Sequence, residues 1–461
     1  MSHVVAEKHA LKHWWIHFTR HYPARLAIGV FAGSALFFTF LLSLPFATVS
    51  RAPARFTTAL FTAVSALCIT GLTVVDTATF WSFFGQVVIL VAVMLGGLGI
   101  ITAAAIMGLT VSRHLGLTQR MLMASETKSQ GLGGVRSLIR IIVITSLVCE
   151  ALVALVLLPR MLFLHDNPAR ALWYSIFLGV SAFNNAGFVP MPEGLTPYVS
   201  DWLVCVPLML GVIIGSLGFP VIKTLRVAQK NHLGIWRRWS LHAKLTIVGS
   251  LALLVIGFVA FLALEYHDPN TLAPLNFHTK ILASLFAAVM PRSGGFTTLP
   301  AGGYTPAMRL TSEVLMFIGG GSAGTGGGIK ITTLLVLLLA IRAEARGDRD
   351  VEAFHRRIPT AAVRVAIAVF AGGLTIVLVA TALLLWLTNT TLDLALFEVI
   401  SAFATCGLEG GLSAKLNVPG RILIILLMFI GRAGSMTFGA ALAFRDRQRV
   451  IRYPEERPLI G

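Results

Sequence analysis

Two distant stretches of this sequence share one pattern: residues 181–188 read SAFNNAGF and residues 401–408 read SAFATCGL. Two more segments end in the same way, SALCITGL at 65–72 and VMPRSGGF at 289–296, although the last lacks the initial Ser-Ala. The glycines before the final large hydrophobe are 116, 108 and 112 residues apart. Because an internal repeat of nearly constant period makes each copy one structural unit, the chain is predicted to contain four related units.

An apolar piece too short to cross a bilayer precedes each of these glycines. A membrane-spanning helix needs about 20 residues, and non-helical backbone at membrane depth is tolerated only where protein or a water-filled cavity surrounds it. We therefore predict four re-entrant pore helices, at 57–70, 171–185, 277–290 and 394–406.

The composition indicates an integral membrane protein. The chain is 56% hydrophobic and 12% charged, with a mean hydropathy of +0.82, far from the balance of a soluble domain. The predicted spans, of which the sixth is interrupted, are 26–47, 85–111, 137–163, 200–222, 243–265, 308–341, 362–388 and 419–443. We expect an all-α membrane protein of four M1-P-M2 repeats (membrane helix, pore helix, membrane helix), with eight transmembrane helices and four re-entrant pore helices around a pseudo-fourfold pore.

Lys and Arg outnumber Asp and Glu by 37 to 20, an excess that in a soluble protein would suggest nucleic acid binding. Here the basic residues concentrate in five segments, which the positive-inside rule places in the cytoplasm together with both termini, and no nucleic acid partner is expected. The predicted organisation is a cytoplasmic arm at 1–25, repeat 1 at 26–112, repeat 2 at 113–222, repeat 3 at 223–345, repeat 4 at 346–444 and a cytoplasmic tail at 445–461.

The four glycine turns are interpreted as a cation selectivity filter. A pore helix that runs inward directs its partially negative C-terminal end at the pore axis, and glycine lets the following backbone turn its carbonyls into the lumen. Carbonyl rings without a ring of acids suit a monovalent cation that must bind and also leave. The predicted filter residues are Thr70, Gly71, Ala186, Gly187, Gly294, Gly295, Cys406 and Gly407. The alternative is that these glycines only allow close helix packing.

The last long helix of the third unit is interrupted by GGGSAGTGGGIK at 319–330, which we call the glycine-rich loop. A phosphate loop is not indicated, because Ile329 separates Gly328 from Lys330 where the Walker pattern needs Lys directly after Gly. A flexible segment just below the filter could obstruct the conduction path, so we interpret it as a gate. The predicted gate residues are Gly320, Gly321, Ser322, Gly324, Thr325, Gly326, Gly327 and Arg432.

Arg432 lies in the middle of the last span, where a charge is costly and usually has a partner. Its partner is expected to be either the carbonyls of the glycine-rich loop, which would make it a latch or an electrostatic barrier, or an acid such as Glu398. Lys330 is expected to anchor a membrane end.

Other function classes have less support in the sequence. The four cysteines and twelve histidines form no ligand cluster, and no inward-facing acid, base or metal cluster emerges, so no enzymatic activity is expected. A secondary transporter of another cation or small solute stays open as the alternative, although it would be built from two inverted halves rather than four parallel copies.

Five motifs in order, SALCITGLTVVDT, SAFNNAGF, MPRSGGFTT, GGGSAGTGGGIKITT and SAFATCGLEGG, resemble the superfamily of Trk, Ktr and HKT potassium transporters, most nearly its KtrB membrane subunits. The resemblance covers about residues 26–443 and implies a potassium-translocating subunit in the bacterial plasma membrane. It implies that backbone carbonyls of Gly71, Gly187, Gly295 and Gly407 hold the ion. It also implies that the family's gating loop falls on 319–330 and its last-helix arginine on Arg432.

The resemblance further implies partners. Ktr members form homodimers on a cytosolic, KtrA-like octameric ring of RCK-type nucleotide-binding subunits, and they often need sodium ions for activity. K⁺ is therefore the expected cargo and Na⁺ an expected activator. The short segment before the first span favours Ktr over Trk members, whereas Ala323 and the GTGGG run depart from the family's usual loop sequence.

Overall fold

The computed structural model of the chain describes residues 23–114, 133–230, 239–322 and 324–444. Nearly all of the predicted cytoplasmic arm, the predicted tail, Ala323, and residues 115–132 and 231–238 of the basic segments lie outside these ranges. Predictions that fall on those residues stay predictions.

Long apolar helices dominate the described residues. In lipid an apolar stretch forms a helix because a helix satisfies all of its backbone hydrogen bonds internally. Six of the long helices are continuous: α1 (Pro23–Ser43), α3 (Phe83–His114), α4 (Gly133–Leu164), α8 (Leu241–Glu265), α12 (Thr360–Leu387) and α14 (Val418–Phe444). Two more are broken, α6 with α7 (Trp202–Leu217 and Phe219–Lys230) and α10 with α11 (Pro306–Phe317 and Ile331–Arg346).

Four short helices alternate with the long ones at the predicted positions: α2 (Phe56–Leu67), α5 (Pro168–Phe183), α9 (Phe277–Val289) and α13 (Leu392–Phe403). They contain 12, 16, 13 and 12 residues. At 1.5 Å per residue they are about 18–24 Å long, which is less than the roughly 30 Å hydrocarbon thickness of a bilayer.

Two features differ from the sequence-based expectation. The predicted span 200–222 is not one helix, because Gly218 adopts a φ of 86° and separates α6 from α7. The structure also contains a two-stranded antiparallel hairpin, which the expected all-α fold did not include. It lies in the basic segment after α11 and pairs β1 (Val351–Ala353) with β2 (Arg356–Ile358). Both residues of its turn, Phe354 and His355, have positive φ without being Gly or Asn, so the usual hairpin signal is missing.

The helices pack in a closed circle. Each short helix contacts the long helix before it and, in addition, the long helix that completes the preceding quarter of the chain. Thus α5 packs on α3, α9 on α6 and α13 on α10, and α2 packs on α14, the last helix. The first and last quarters of the chain are therefore neighbours, and the short helices lie inside the ring of long ones.

The exterior of this bundle is apolar, as a lipid environment requires. Large hydrophobic side chains such as Phe163 and Trp386 are about four-fifths exposed, at 79% and 81%. Among the residues whose side chains the structure describes, three helical segments are long and apolar enough to cross a membrane: Ile142–Leu164, Leu241–Glu265 and Thr360–Leu387. Five shorter apolar helices accompany them. The chain is a membrane protein.

Candidate functional site

The four turns that follow the short helices share one backbone conformation. The glycine of each turn has positive φ: 86° at Gly71, 70° at Gly187, 71° at Gly295 and 91° at Gly407. The residue two positions earlier also has positive φ, although it is not glycine: 56° at Ile69, 59° at Asn185, 66° at Ser293 and 46° at Thr405. A left-handed conformation costs a non-glycine residue roughly 1–2 kcal/mol. Contacts of the fold must hold these turns in place.

These four turns converge on one place, and we call Gly71, Gly187, Gly295 and Gly407 the glycine ring. A Cβ atom added to any one of them would collide with the backbone of the next. An added Cβ would lie 2.3 Å from the Ala186 oxygen at Gly71 and 2.9 Å from the Gly295 Cα at Gly187. It would lie 2.6 Å from the Cys406 oxygen at Gly295 and 2.0 Å from the Thr70 oxygen at Gly407. The contacts run through all four turns and return to the first.

Hydrogen bonds of the repeated serine explain why the motif places Ser six residues before Gly. The hydroxyl groups of Ser65 and Ser181 donate to the carbonyl oxygens of Leu72 and Phe188, at 2.7 and 2.9 Å. In the fourth copy the Ser401 hydroxyl accepts from the Gly407 N–H at 3.2 Å. Each serine is buried and ties its turn to the end of its short helix. The large hydrophobe after each glycine is likewise buried: Leu72, Phe188, Phe296 and Leu408.

The third turn lacks this serine and is held differently. Val289 occupies the serine position, and the N–H groups of Gly294 and Gly295 bond instead to the Met290 carbonyl oxygen, at 2.8 and 3.3 Å. Arg292 in the same turn is 5% exposed and points to α8, where its guanidinium donates to the carbonyl and the hydroxyl of Ser250, both at 2.9 Å. Different side chains thus give the same backbone turn.

A cavity of about 400 Å³ opens on one side of the glycine ring and is lined by all four ring glycines. Its remaining lining comes from the residues that follow each glycine in the chain, including Thr73, Asp76 and Glu409. Asp76 is committed to local structure, since its carboxylate accepts from the N–H groups of Ala78 and Thr79.

The glycine-rich loop packs on the other side of the glycine ring, against the residues that precede the glycines. The Thr325 hydroxyl donates to the side-chain oxygen of Asn185 at 3.0 Å. A Cβ on Gly327 would lie 2.0 Å from the Thr405 hydroxyl, and one on Gly326 would lie 3.3 Å from Ser293. Three of the four turns therefore touch the loop directly, and its glycines are needed for that close approach.

Backbone hydrogen bonds hold the loop in this position. The N–H groups of Gly321 and Thr325 donate to the carbonyls of Ser216 and Gly215 at the end of α6, at 2.8 and 3.1 Å. At the base of the loop, Gly319 N–H donates to the Ile329 carbonyl at 2.8 Å, and the Ser322 and Thr332 hydroxyls lie 3.1 Å apart.

Arg432 is 1% exposed, and its guanidinium donates to the carbonyl oxygen of Thr325 in the glycine-rich loop. Of the two partners considered from the sequence, the structure thus places the loop carbonyl against it. Glu398, the alternative partner, accepts from the Ser413 hydroxyl instead. Lys330 differs from expectation: its ammonium donates to the Gly326 carbonyl at 2.5 Å, within the loop, and does not anchor a membrane end.

One intramembrane residue at this site had no assigned role in the sequence. Glu150 of α4 is 4% exposed, and its carboxylate accepts from the Asn184 side chain at 2.8 Å. Asn184 caps the end of the short helix α5, next to Asn185, which contacts the loop. The signal available in the sequence was the ionisable group itself within an apolar span.

These features define a class of protein: a helical membrane protein with four short helices whose glycine turns meet at one centre and a loop packed beneath them. The sequence model of the TrkH family, described as a cation transport protein, matches residues 13–446. The chain belongs to this family.

Similar proteins agree with this assignment. The chain is 37% identical over 447 residues to the Ktr system potassium uptake protein B of Bacillus subtilis, covering 97% of this chain and 98% of that protein. It is 35% identical to the protein of the same name from Vibrio alginolyticus, covering 95% and 94%. Among solved structures, the potassium transporter TrkH from Vibrio parahaemolyticus superimposes with a TM-score of 0.66, covering 91% of this chain and 85% of that one, at 18% identity. That last likeness supports the fold.

Proposed function

We propose that this chain is the potassium-translocating membrane subunit of a Ktr-type uptake system and has no enzymatic activity of its own. The observation that carries the proposal is the glycine ring, in which four positive-φ turns from four parts of the chain touch one another. Full-length relatives named for potassium uptake support the choice of ion.

The proposed architecture is four M1-P-M2 repeats around a pseudo-fourfold pore, with the repeat boundaries predicted from the sequence. The closed circle of helix contacts supports it, because each short helix bridges its own repeat and the one before. The proposed orientation keeps both termini on the cytoplasmic side of the plasma membrane, and the cavity beside the glycine ring then faces outward.

In this proposal the filter consists of Thr70, Gly71, Ala186, Gly187, Gly294, Gly295, Cys406 and Gly407. Positive φ at every second residue of each turn lets neighbouring carbonyl groups point to one side, which an ordinary strand does not allow. Carbonyl oxygens from four turns would then replace the hydration shell of a potassium ion. The ion moves down its electrochemical gradient.

The proposed gate is the glycine-rich loop with Arg432. The loop lies on the side of the ring opposite the cavity, and it is held by bonds from Thr325, Gly321 and Arg432 that a moderate displacement would break. A buried guanidinium close to the path also repels cations while the loop is in place. Moving the loop aside would remove both the physical and the electrostatic barrier.

We further propose a homodimer that binds a cytosolic RCK-type nucleotide-binding ring and responds to Na⁺. Basic segments 113–136, 226–244 and 445–461 are the proposed ring contacts, and much of them lies outside the described residues. Truncating the tail and neutralising the two loops should abolish co-purification with a KtrA-like ring, whereas retained binding would contradict this part of the proposal.

The alternative is a secondary transporter of another cation or small solute. It predicts two inverted halves, whereas the four glycine turns repeat with one backbone conformation and one contact pattern. The observed arrangement therefore favours the pore.

Ion competition tests the proposal. Purified protein in potassium-loaded proteoliposomes should take up radioactive rubidium, driven by the outward potassium gradient. Unlabelled external K⁺ and Rb⁺ should compete with this uptake, whereas Na⁺ should compete only weakly. Equal competition by Na⁺, or uptake that requires a second organic substrate, would contradict a potassium pore.

A further inference from the structure

The residue two positions after each ring glycine forms a second ring, at the mouth of the proposed filter. These residues are Thr73, Val189, Thr297 and Glu409, and all four line the cavity of about 400 Å³. Three of them are neutral, whereas the fourth carries a carboxylate. Two extended residues span about 7 Å, so this charge lies close to the ring that an ion must enter.

The Glu409 carboxylate is positioned by the neighbouring turn. Its Oε1 atom accepts from the backbone N–H of Thr73 and from the Thr73 hydroxyl, the latter at 2.9 Å. Both hydrogen bonds use the same oxygen, so the second oxygen, Oε2, is available to the cavity that the residue lines. The side chain is only partly buried.

The surroundings of Glu409 favour a cation. Of the described residues that line the cavity, Asp76 and Glu409 are acidic, and none is Lys, Arg or His. Because Asp76 is bonded to the N–H groups of a short helical turn, its charge is partly compensated there. Glu409 lies two residues after its ring glycine, whereas Asp76 lies five residues after its own, so Glu409 is the acidic residue nearer to the ring along the chain.

We propose that Glu409 forms an outer cation site that captures a potassium ion before the ion enters the glycine ring, and that it thereby lowers the potassium concentration needed for uptake. This inference rests on the proposed function and adds a binding step to it. A carboxylate at the mouth of a pore raises the local concentration of cations, and salt screens that effect.

The test compares Glu409→Gln with the wild type in proteoliposomes, with rubidium as the transported ion. Gln keeps an oxygen acceptor for Thr73 and removes only the charge. At low ionic strength we expect the half-saturating rubidium concentration to rise about fivefold, with the maximal rate within about twofold of wild type. Glu193→Gln is the matched control, because Glu193 is an exposed acid on the same side of the ring that does not line the cavity. It should leave the half-saturating concentration unchanged.

Ionic strength separates charge from structure. In about 1 M N-methyl-D-glucamine chloride the Debye length is about 3 Å, so the difference between Glu409→Gln and wild type should shrink to less than about twofold. Adding Thr297→Glu to Glu409→Gln returns a carboxylate to the same ring and should restore part of the affinity at low salt.

Two results would overturn the outer site: an unchanged half-saturating concentration in Glu409→Gln at low salt, or a loss equally large at high salt, which would assign Glu409 to loop structure alone. A wild-type protein that transports no rubidium would contradict the proposed function instead.

Discussion

Arg432 donates a hydrogen bond to the carbonyl oxygen of Thr325 and so joins the last helix, α14, to the glycine-rich loop. The residues are 107 positions apart, and both are buried, with 1% of each exposed. A charge in this position is costly unless it is bonded, so the contact fixes the loop and the charge together. The same Thr325 contacts Asn185 beneath the glycine ring, which places the proposed latch, gate and filter in one connected set.

Removing the latch should raise basal transport. In Arg432→Ala the Thr325 carbonyl loses its charged donor, at a cost of about 1–3 kcal/mol to the closed position of the loop. We expect rubidium uptake without the cytosolic ring to rise several-fold, measured in proteoliposomes. The control is Arg421→Ala. Arg421 lies in the same helix, but its guanidinium donates to the carbonyls of Leu416 and Ala414. Equal uptake in Arg432→Ala and wild type would contradict the latch.

A side chain inside the loop should have a related effect. A Cβ at Gly327 would lie 2.0 Å from the Thr405 hydroxyl, so Gly327→Ala cannot keep the loop seated beneath the ring. We expect higher ring-independent rubidium uptake than in Gly33→Ala, where the added atom meets nothing within 4 Å. Uptake in Gly327→Ala that stayed low and still required the cytosolic ring would argue against a gate at this position.

Removal of a buried serine hydroxyl should have a larger effect where the hydroxyl bonds to a turn than where it bonds within a helix. Ser181→Ala removes the donor to the Phe188 carbonyl and should destabilise the protein by about 1–3 kcal/mol while lowering rubidium-over-sodium selectivity. Ser175→Ala is the matched control on α5, because it is equally buried but bonds to the Ala171 carbonyl within the helix. Thermal unfolding in detergent and ion uptake measure the two effects. Loss of stability without loss of selectivity would limit Ser181 to a structural role.

The glycine ring should be intolerant of side chains. Gly71→Ser places a Cβ 2.3 Å from the Ala186 oxygen at a φ of 86°, so the first turn must shift away from the second. We expect sodium to be admitted and the rubidium-over-sodium uptake ratio to fall at least about tenfold, which corresponds to about 1.4 kcal/mol. Gly372→Ser, which meets nothing within 4 Å on α12, should keep the wild-type ratio. An unchanged ratio in Gly71→Ser would remove the main support for the filter.

Much of this architecture follows from local sequence. The short helices and their glycines lie where the period of the sequence places them, because short apolar pieces and positive-φ turns leave a local signature. The interruption between α10 and α11 follows equally from its run of glycines. The hairpin at 351–358 does not, since the residues of its turn are Phe354 and His355.

Contacts between distant turns could not be predicted in this way. The pairing of Glu409 with Thr73 exists only because the first and fourth turns become neighbours when the circle closes. The same holds for Arg432, for which the sequence left two partners open. Lys330 was expected to anchor a membrane end, whereas the loop folds back and presents the Gly326 carbonyl to its ammonium group.

Anomalous diffraction from crystals grown in rubidium tests the central claim most directly. The account predicts rubidium peaks on the common axis of the turns at Gly71, Gly187, Gly295 and Gly407, within coordination distance of their carbonyl oxygens, and much weaker occupancy when sodium is in excess. Rubidium bound elsewhere in the bundle, with no peak between these four turns, would contradict it.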